Sequence, residues 1–219
     1  MVYRKPQASN LKGIFQKEDT VYKVENYKET GFVFAPFDDS EKSILIPLEH
    51  ADSLDSICST EEAFHPNQNE ITFKELEKEN HIELIAKGIQ FIDKNSFEKV
   101  VLSRKETVAV SGSKFLTFFK NLLNSYASAF VYCWYHPKIG LWLGATPETL
   151  MKIEGHQFSM MSLAGTQDYK GTLNVDWQDK EKREQQIVTD FITSNLKPLV
   201  KNIKISEVET VKAGNLVHL

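Results

Sequence analysis

The sequence predicts an α/β protein of the α+β type, built from antiparallel strands with flanking helices. Short segments rich in Val, Ile, Phe and Tyr follow one another across tight turns, as hairpin strands do. Three longer segments carry apolar residues at helical spacing. The composition is 41% hydrophobic and 26% charged, which is ordinary for a globular protein and excludes global disorder.

The predicted strands are short and are separated by polar turns. In the first fifty residues they lie at 20–24, 31–37 and 43–48. Later in the chain they lie at 97–110, 130–135, 141–145, 149–153, 158–164 and 204–211. Asp38-Asp39-Ser40 is a predicted turn, and residues 136–140 and 154–156 are predicted to close hairpins. Residues 51–69 are polar and contain Pro66, so we expect a connecting loop there.

Three helices are predicted from capping residues and apolar spacing. Thr72 and Glu75 form a capping box before the first helix, and Ser113 is placed to cap the second. The third covers residues 179–196 and is ended by Pro198. The residues predicted to share a face are Ile82, Ile85, Ile89 and Ile92 in the first helix and Leu116, Phe119 and Leu123 in the second.

Several function classes are excluded by composition. The net charge of −4 offers no basic surface for nucleic acid. No apolar run is long enough to span a bilayer and no signal peptide begins the chain, so we expect a cytoplasmic protein without a membrane partner. Cys58 and Cys133 form no paired motif, the six histidines lack metal-ligand spacing, and no phosphate-binding glycine loop is present.

Glu184 lies where the third helix would carry a carboxylate over its buried face. The apolar face predicted for this helix consists of Ile187, Val188, Phe191 and Ile192. Glu184 precedes Ile187 by three residues and Val188 by four, so it shares their side of the helix. The charged run around it is also typical of a solvated first turn. A buried carboxylate must be paired, protonated or metal-bound, and Mg²⁺ accepts oxygen ligands of this kind.

Three other positions suit acid–base chemistry or ligand binding. Lys99 is either an exposed residue at a strand start or a general base, drawn among apolar neighbours that favour its neutral form. Glu148 follows a Gly/Pro-containing turn and is either a solvated acid or a general acid held protonated in a dry pocket. Gly165, followed by Thr166, forms either an ordinary turn or a close backbone approach to a ligand.

Five segments are distinctive when taken together: FEKVVLSR at 97–104, LGATPE at 143–148, LAGT at 163–166, KEKREQQIV at 180–188 and LVHL at 216–219. They resemble the chorismate-utilising enzymes and, among them, the isochorismate synthase branch. The resemblance covers residues 97–219 and implies a small-molecule substrate, chorismate, whose C2 receives water while its C4 hydroxyl leaves. Menaquinone biosynthesis is the expected pathway, with siderophore biosynthesis as the alternative.

The resemblance also implies roles for individual residues. Lys99 matches the lysine that activates water, and Glu148 matches the acid that protonates the departing hydroxyl. Gly165 and Thr166 match the turn that contacts substrate, and Glu184 matches one of two glutamates that hold Mg²⁺. Ammonia-using relatives usually lack the lysine, whereas salicylate synthases keep it and then eliminate pyruvate, so a salicylate synthase is the alternative enzyme.

The chain stops within an apolar strand pattern at 216–219, so we expect a truncated chain. The resemblance places a second metal-binding glutamate and a substrate-binding arginine after Leu219. It divides the chain into a variable N-terminal subdomain, 1–90, and the N-terminal part of the chorismate-binding catalytic domain, 91–219. We expect a partial family fold with unpaired strand edges, and no activity from residues 1–219 alone. A non-catalytic fragment or interaction module is the alternative of another class, and the oligomeric state stays open.

Overall fold

The computed structural model describes residues 1–57, 75–108 and 114–219, which form two compact units. Unit 1 contains described residues 1–57 and 114–148, and unit 2 contains described residues 75–108 and 149–219. The described strands pair antiparallel and are accompanied by helices, so the predicted α+β class is confirmed. Neither unit ends at residue 90. The boundary predicted there marks where the family motifs begin, and it stays a prediction.

The described part of unit 1 contains two antiparallel sheets and one α-helix. The strands of the larger sheet are β1 (Val2–Arg4), β2 (Asn10–Gln16), β6 (Ala51–Ile57), β7 (Phe130–His136) and β8 (Gly140–Thr146), in the order β6-β2-β1-β7-β8. The smaller sheet has the order β3-β5-β4, from β3 (Tyr22–Lys23), β4 (Gly31–Phe34) and β5 (Ile44–Pro47). A short 3₁₀ turn covers Leu48–His50, and helix α2 covers Phe115–Ser125.

The core of unit 1 lies on both faces of β7. Side chains alternate along a strand, so Val131 and Trp134 point to opposite faces of the sheet. Val131 packs with Phe119 and Leu123 of α2, and Trp134 packs with Ile46 of β5. Unit 1 is therefore layered as helix, sheet and sheet, with an apolar core at each boundary.

Arg4 fastens the end of helix α2 to the sheet. Its guanidinium is buried, and it donates hydrogen bonds to the carbonyl oxygens of Leu123 and Tyr126, each at 2.8 Å. Leu123 lies in the last turn of the helix, where backbone acceptors lack helical partners, and Tyr126 directly follows the helix. A cation there also complements the helix dipole, so Arg4 acts as the cap of α2.

Unit 2 is built around helix α3. Its helices are α1 (Glu75–Asp93) and α3 (Asp179–Leu196), and its strands are β9 (Lys152–Glu154), β10 (Gln157–Ser159), β11 (Gln167–Asp168), β12 (Val211–Ala213) and β13 (Leu216–His218). β9 and β10 form a hairpin, and the other three strands form a sheet in the order β11-β13-β12. Among the described residues, no helix is long and apolar enough to cross a membrane.

Local signals in the sequence predicted several elements correctly. The third helix has its predicted bounds, and the hairpin of β7 and β8 forms with Trp134 opposite Trp142. The turn at Asp38 also forms, because the Ser40 amide donates to the Asp38 carboxylate at 2.9 Å. The strands predicted in residues 20–48 form in shortened versions, as do the arms of the hairpin at 154–156.

The loop predicted at residues 51–69 is wrong over its first seven residues. Ala51–Ile57 forms β6, which pairs along the whole of β2. Its polar side chains are typical of a loop, but here they are the exposed side chains of a strand at the edge of the sheet. Acidic residues of β6 pair with lysines on the neighbouring β2 segment. Lys17 contacts Asp52 at 3.0 Å, and Lys12 contacts Asp55 at 3.6 Å. Residues 58–69, including Cys58, lie outside the described residues.

Two other predicted strands are wrong. Residues 97–108 form no ladder with a described strand, although their Val and Leu content favours β structure, and 109–110 lie outside the described residues. Residues 204–210 also remain outside any sheet, and β12 begins only at Val211. A strand needs a partner edge as well as suitable residues. Thr210 instead accepts a hydrogen bond from the Trp177 indole at 2.9 Å.

The helical faces are confirmed only in part. Phe119 and Leu123 are buried, whereas Leu116 is exposed. The isoleucine face of α1, Ile82 to Ile92, is exposed within the described structure. Thr72 and Ser113, the predicted capping residues, lie outside the described residues, as does the side chain of Glu75.

Candidate active site

Lys99 and Glu184 form an ion pair within unit 2. Lys99 Nζ lies 3.2 Å from Glu184 Oε1, and their side chains are 21% and 36% exposed. Glu184 is the sixth residue of α3, so its carboxylate lies near the N-terminal end of the helix, as expected. Of the three states open to a partly buried carboxylate, this one is paired. The structure therefore brings together the predicted base and the predicted metal ligand.

A second ion pair lies beside the first and has the opposite order of charges. Arg183 Nη2 donates to Glu98 Oε1 at 3.0 Å, and both side chains are largely exposed. Glu98 and Lys99 thus pair with Arg183 and Glu184, so the order of the charges is reversed between the two segments. A slip by one residue would place like charges opposite each other, so the two pairs favour one register between the segment and the helix. This contact, and not a sheet ladder, positions Lys99.

The buried face of α3 is displaced from the one that we predicted. Phe191 is exposed, whereas Gln185 is the buried residue of the helix. The partly buried positions around it include Glu181, Val188 and Ile192, at the spacing of one helical face. Glu184 adjoins this face, which explains why its carboxylate is only partly covered.

Gly165 and Thr166 form a β-bulge. Ala164 exchanges both backbone hydrogen bonds with Leu219, at 3.0 and 3.1 Å, and Gln167 pairs with Val217. Two residues, Gly165 and Thr166, therefore stand opposite the single residue between Val217 and Leu219. Gly165 has a φ of +71°, the left-handed conformation found at the first position of a glycine bulge. Such bulges redirect side chains, which suits a turn that contacts substrate.

His218 is the residue opposite the bulge. Its Nδ1 lies 3.0 Å from the Gly165 carbonyl oxygen and 3.2 Å from Thr166 Oγ1. A carbonyl oxygen only accepts, so Nδ1 carries the proton and donates to it. His218 therefore holds both predicted substrate-binding residues. His218 lies in the LVHL motif, so the sequence could have pointed to it as a candidate. Its hydrogen-bond partners, however, follow only from the register of the strands.

Gly165 also packs closely on the first turn of α3. A Cβ built at Gly165 would lie 3.1 Å from Glu181 Cβ and 3.4 Å from the Trp177 ring. Glu181 is anchored in turn, because its carboxylate accepts the Gln178 amide at 3.0 Å as part of the N-terminal cap. Glycine thus lets the bulge approach the helix that carries Glu184. The Gly165–Thr166 bulge, the metal-ligand candidate and Lys99 all lie around α3.

Glu148 belongs to unit 1 and follows the end of β8. Gly144 in that strand leaves room for the Tyr132 ring, since a Cβ there would lie 2.5 Å from the ring. The Thr146 hydroxyl donates to the Glu148 carbonyl oxygen at 3.3 Å and shapes the turn. The Glu148 side chain is exposed, so the dry surroundings expected for a protonated acid are absent within the described part of this unit.

Glu184 offers one ligand of the kind that Mg²⁺ binds. Mg²⁺ in proteins is commonly held by one or two carboxylates together with waters and groups of the substrate. Among the described residues, no cluster of three or more acidic, His or Cys side chains is placed to hold a metal ion. The partly exposed carboxylate of Glu184 could thus supply a single ligand to the metal. In this structure its Oε1 atom is paired with Lys99 Nζ.

The chain belongs to the chorismate-binding enzymes. The family model described as "Chorismate binding enzyme" matches residues 20–219, which begins further toward the N-terminus than the motifs from Phe97 onward predict. The chain is similar to "Isochorismate synthase MenF" of Pasteurella multocida (strain Pm70), with 28% identity over 148 residues. This match covers 62% of the chain and 33% of the relative, so the chain spans about a third of that relative's length. No solved structure matches the chain.

Proposed function

We propose that the protein carrying this chain is an isochorismate synthase that converts chorismate to isochorismate. Membership of the chorismate-binding enzymes supports chorismate as the substrate. The relative named isochorismate synthase supports the reaction type. The observation that carries the proposal is the Lys99–Glu184 pair at 3.2 Å, because it places the water-activating candidate beside the metal-ligand candidate.

The proposed reaction is a substitution with migration of the ring double bonds. A water oxygen forms a bond to C2, the two ring double bonds shift, and the C4–oxygen bond breaks. Water is a weak nucleophile, so a base must take its proton. We assign this step to Lys99, which can act as a base only after its amine has left the ion pair with Glu184 and lost its proton. Hydroxide is a poor leaving group, so we assign Glu148 to protonate it. One water enters and one leaves, and the atoms balance.

The substrate is a dianion, whereas the protein carries a net charge of −4. Binding therefore depends on local groups that attract anions. The backbone N–H groups and hydroxyl of the Gly165–Thr166 bulge are suited to a carboxylate. We assign Glu184 as one ligand of Mg²⁺, which when bound would neutralise the ring carboxylate of chorismate. Menaquinone biosynthesis, which rests on the family resemblance, and a cytoplasmic location, which is the expectation from the sequence, belong to this proposal.

Product analysis tests the proposal. The complete protein that carries residues 1–219 is incubated with chorismate and Mg²⁺, and the products are separated by liquid chromatography. We expect isochorismate, and its formation should stop when the metal is chelated. Formation of salicylate and pyruvate would assign the protein to the salicylate synthases. Absence of any chorismate turnover would favour a non-catalytic role.

A further inference from the structure

Gln185 is a buried polar residue at the centre of a small hydrogen-bond network. Its side chain is 7% exposed. The Nε2 atom lies 3.0 Å from Thr189 Oγ1 and 3.2 Å from the Ser162 carbonyl oxygen. The Ser162 and Thr189 hydroxyls contact each other at 2.7 Å. Two hydroxyls and an amide thus join helix α3 to the segment that precedes the Gly165–Thr166 bulge.

The two ends of this network adjoin the candidate active site. Gln185 directly follows Glu184 in the helix, and Ser162 precedes Gly165 by three residues. The network therefore ties the backbone that carries the metal-ligand candidate to the backbone that carries the bulge. Both connections are short, so a shift at the network moves these groups relative to each other.

An apolar side chain would fill the same space without needing hydrogen-bond partners. A buried amide is costly when unsatisfied, and its net contribution to stability is modest even when it is paired. The amide instead fixes the alignment of α3 with the segment at Ser162, because its two N–H groups are both satisfied only in that alignment. The network therefore contributes more to the relative position of the two segments than to stability.

We infer that Gln185, together with Thr189 and Ser162, is a positioning residue that sets Glu184 against the Gly165–Thr166 bulge. The inference rests on the proposed function for its kinetic consequence. Displacing a reacting geometry by about 1 Å reduces the rate by roughly 10²-fold. Loss of the network should therefore reduce kcat by about tenfold or more, with a smaller change in KM.

The test compares two neighbouring glutamines in the complete protein. Gln185→Met keeps the length of the side chain and removes its N–H donors. Gln186→Met is the matched control, because Gln186 is exposed and its amide donates to Asp190 at 2.8 Å, outside the network. Thr189→Val is a milder variant that removes one hydroxyl with little change of shape. Each is measured for kcat and KM with chorismate, and for amide hydrogen exchange in residues 162–168.

We expect Gln185→Met and Thr189→Val to lower kcat and to accelerate exchange in residues 162–168, whereas Gln186→Met changes neither. Unchanged exchange in Gln185→Met, or faster exchange with unchanged kcat, would overturn the positioning role. A wild-type protein that does not turn over chorismate would instead refute the proposed function. In that case, the exchange measurement still decides whether the network ties the two segments together.

Discussion

Replacing Gly165 with Ala tests whether the bulge needs glycine for two separate reasons. The first is its φ of +71°, a left-handed conformation that costs a residue with a Cβ about 1–2 kcal/mol. The second is the new Cβ itself, which would lie 3.1 Å from Glu181 Cβ. Forcing an extra carbon into a packed contact costs about 1–3 kcal/mol. We therefore expect Gly165→Ala to destabilise unit 2 by about 2–5 kcal/mol.

Gly155→Ala separates the two contributions. Gly155 lies in the same unit with a φ of +59°, but nothing lies within 4 Å of the position of its Cβ. It should lose only about 1–2 kcal/mol, the conformational cost. Urea denaturation followed by far-ultraviolet circular dichroism gives both values. Equal losses in the two variants would refute the close contact between bulge and helix, and no loss in either would refute the left-handed conformations.

Three further predictions concern single side chains. Lys99→Ala should lower isochorismate formation by about 10²–10⁴-fold because the base is lost, whereas the exposed Lys94→Ala should not, and near-normal turnover in the Lys99 variant would contradict the assignment. Glu148→Gln should lose turnover yet keep Mg²⁺-dependent binding of chorismate, whereas Glu184→Gln should need more Mg²⁺ for half-maximal activity; identical Mg²⁺ titrations for wild type and Glu184→Gln would contradict this division of roles. Arg4→Met should lower the free energy of unfolding of unit 1 by about 2–3 kcal/mol in urea denaturation, because the Leu123 carbonyl, which is buried, and the Tyr126 carbonyl, which is partly buried, lose a charged donor. An unchanged midpoint would show that other donors replace it.

Elements with strong local signals were predictable from sequence. The third helix has apolar residues at helical spacing and is followed by Pro198, and it has its predicted bounds. The β7–β8 hairpin follows from two apolar runs around a Pro/Gly-containing turn. In both cases, the residues that determine the structure lie within the element itself.

Elements that depend on distant partners were not predictable in the same way. Residues 97–108 have the composition of a strand but find no ladder among the described strands, and Lys99 is positioned by its charge pair with α3. Helical spacing predicted a buried face around Phe191, whereas the network at Gln185 decides which face packs. β6 was missed for the converse reason, since its own side chains are mostly polar and its strand conformation depends on pairing with β2.

The candidate site shows the same division. Helical spacing alone predicted that Glu184 lies near a buried helical face. The family resemblance predicted that Lys99 belongs to the same catalytic site. The bulge at Gly165 and its partner His218 follow from a one-residue mismatch in the register between Ala164–Leu219 and Gln167–Val217. No local pattern carries that information, because it arises only when segments about fifty residues apart pair.

The origin of the oxygen atom at C2 tests the proposed function most directly. The complete protein converts chorismate in water enriched in ¹⁸O, and the isochorismate formed is analysed by mass spectrometry with fragmentation. Water addition at C2 predicts one ¹⁸O atom in the ring hydroxyl of the product, and Lys99→Ala should form little of it. Isochorismate with an unlabelled ring hydroxyl would contradict the account, because the hydroxyl would then have come from the substrate.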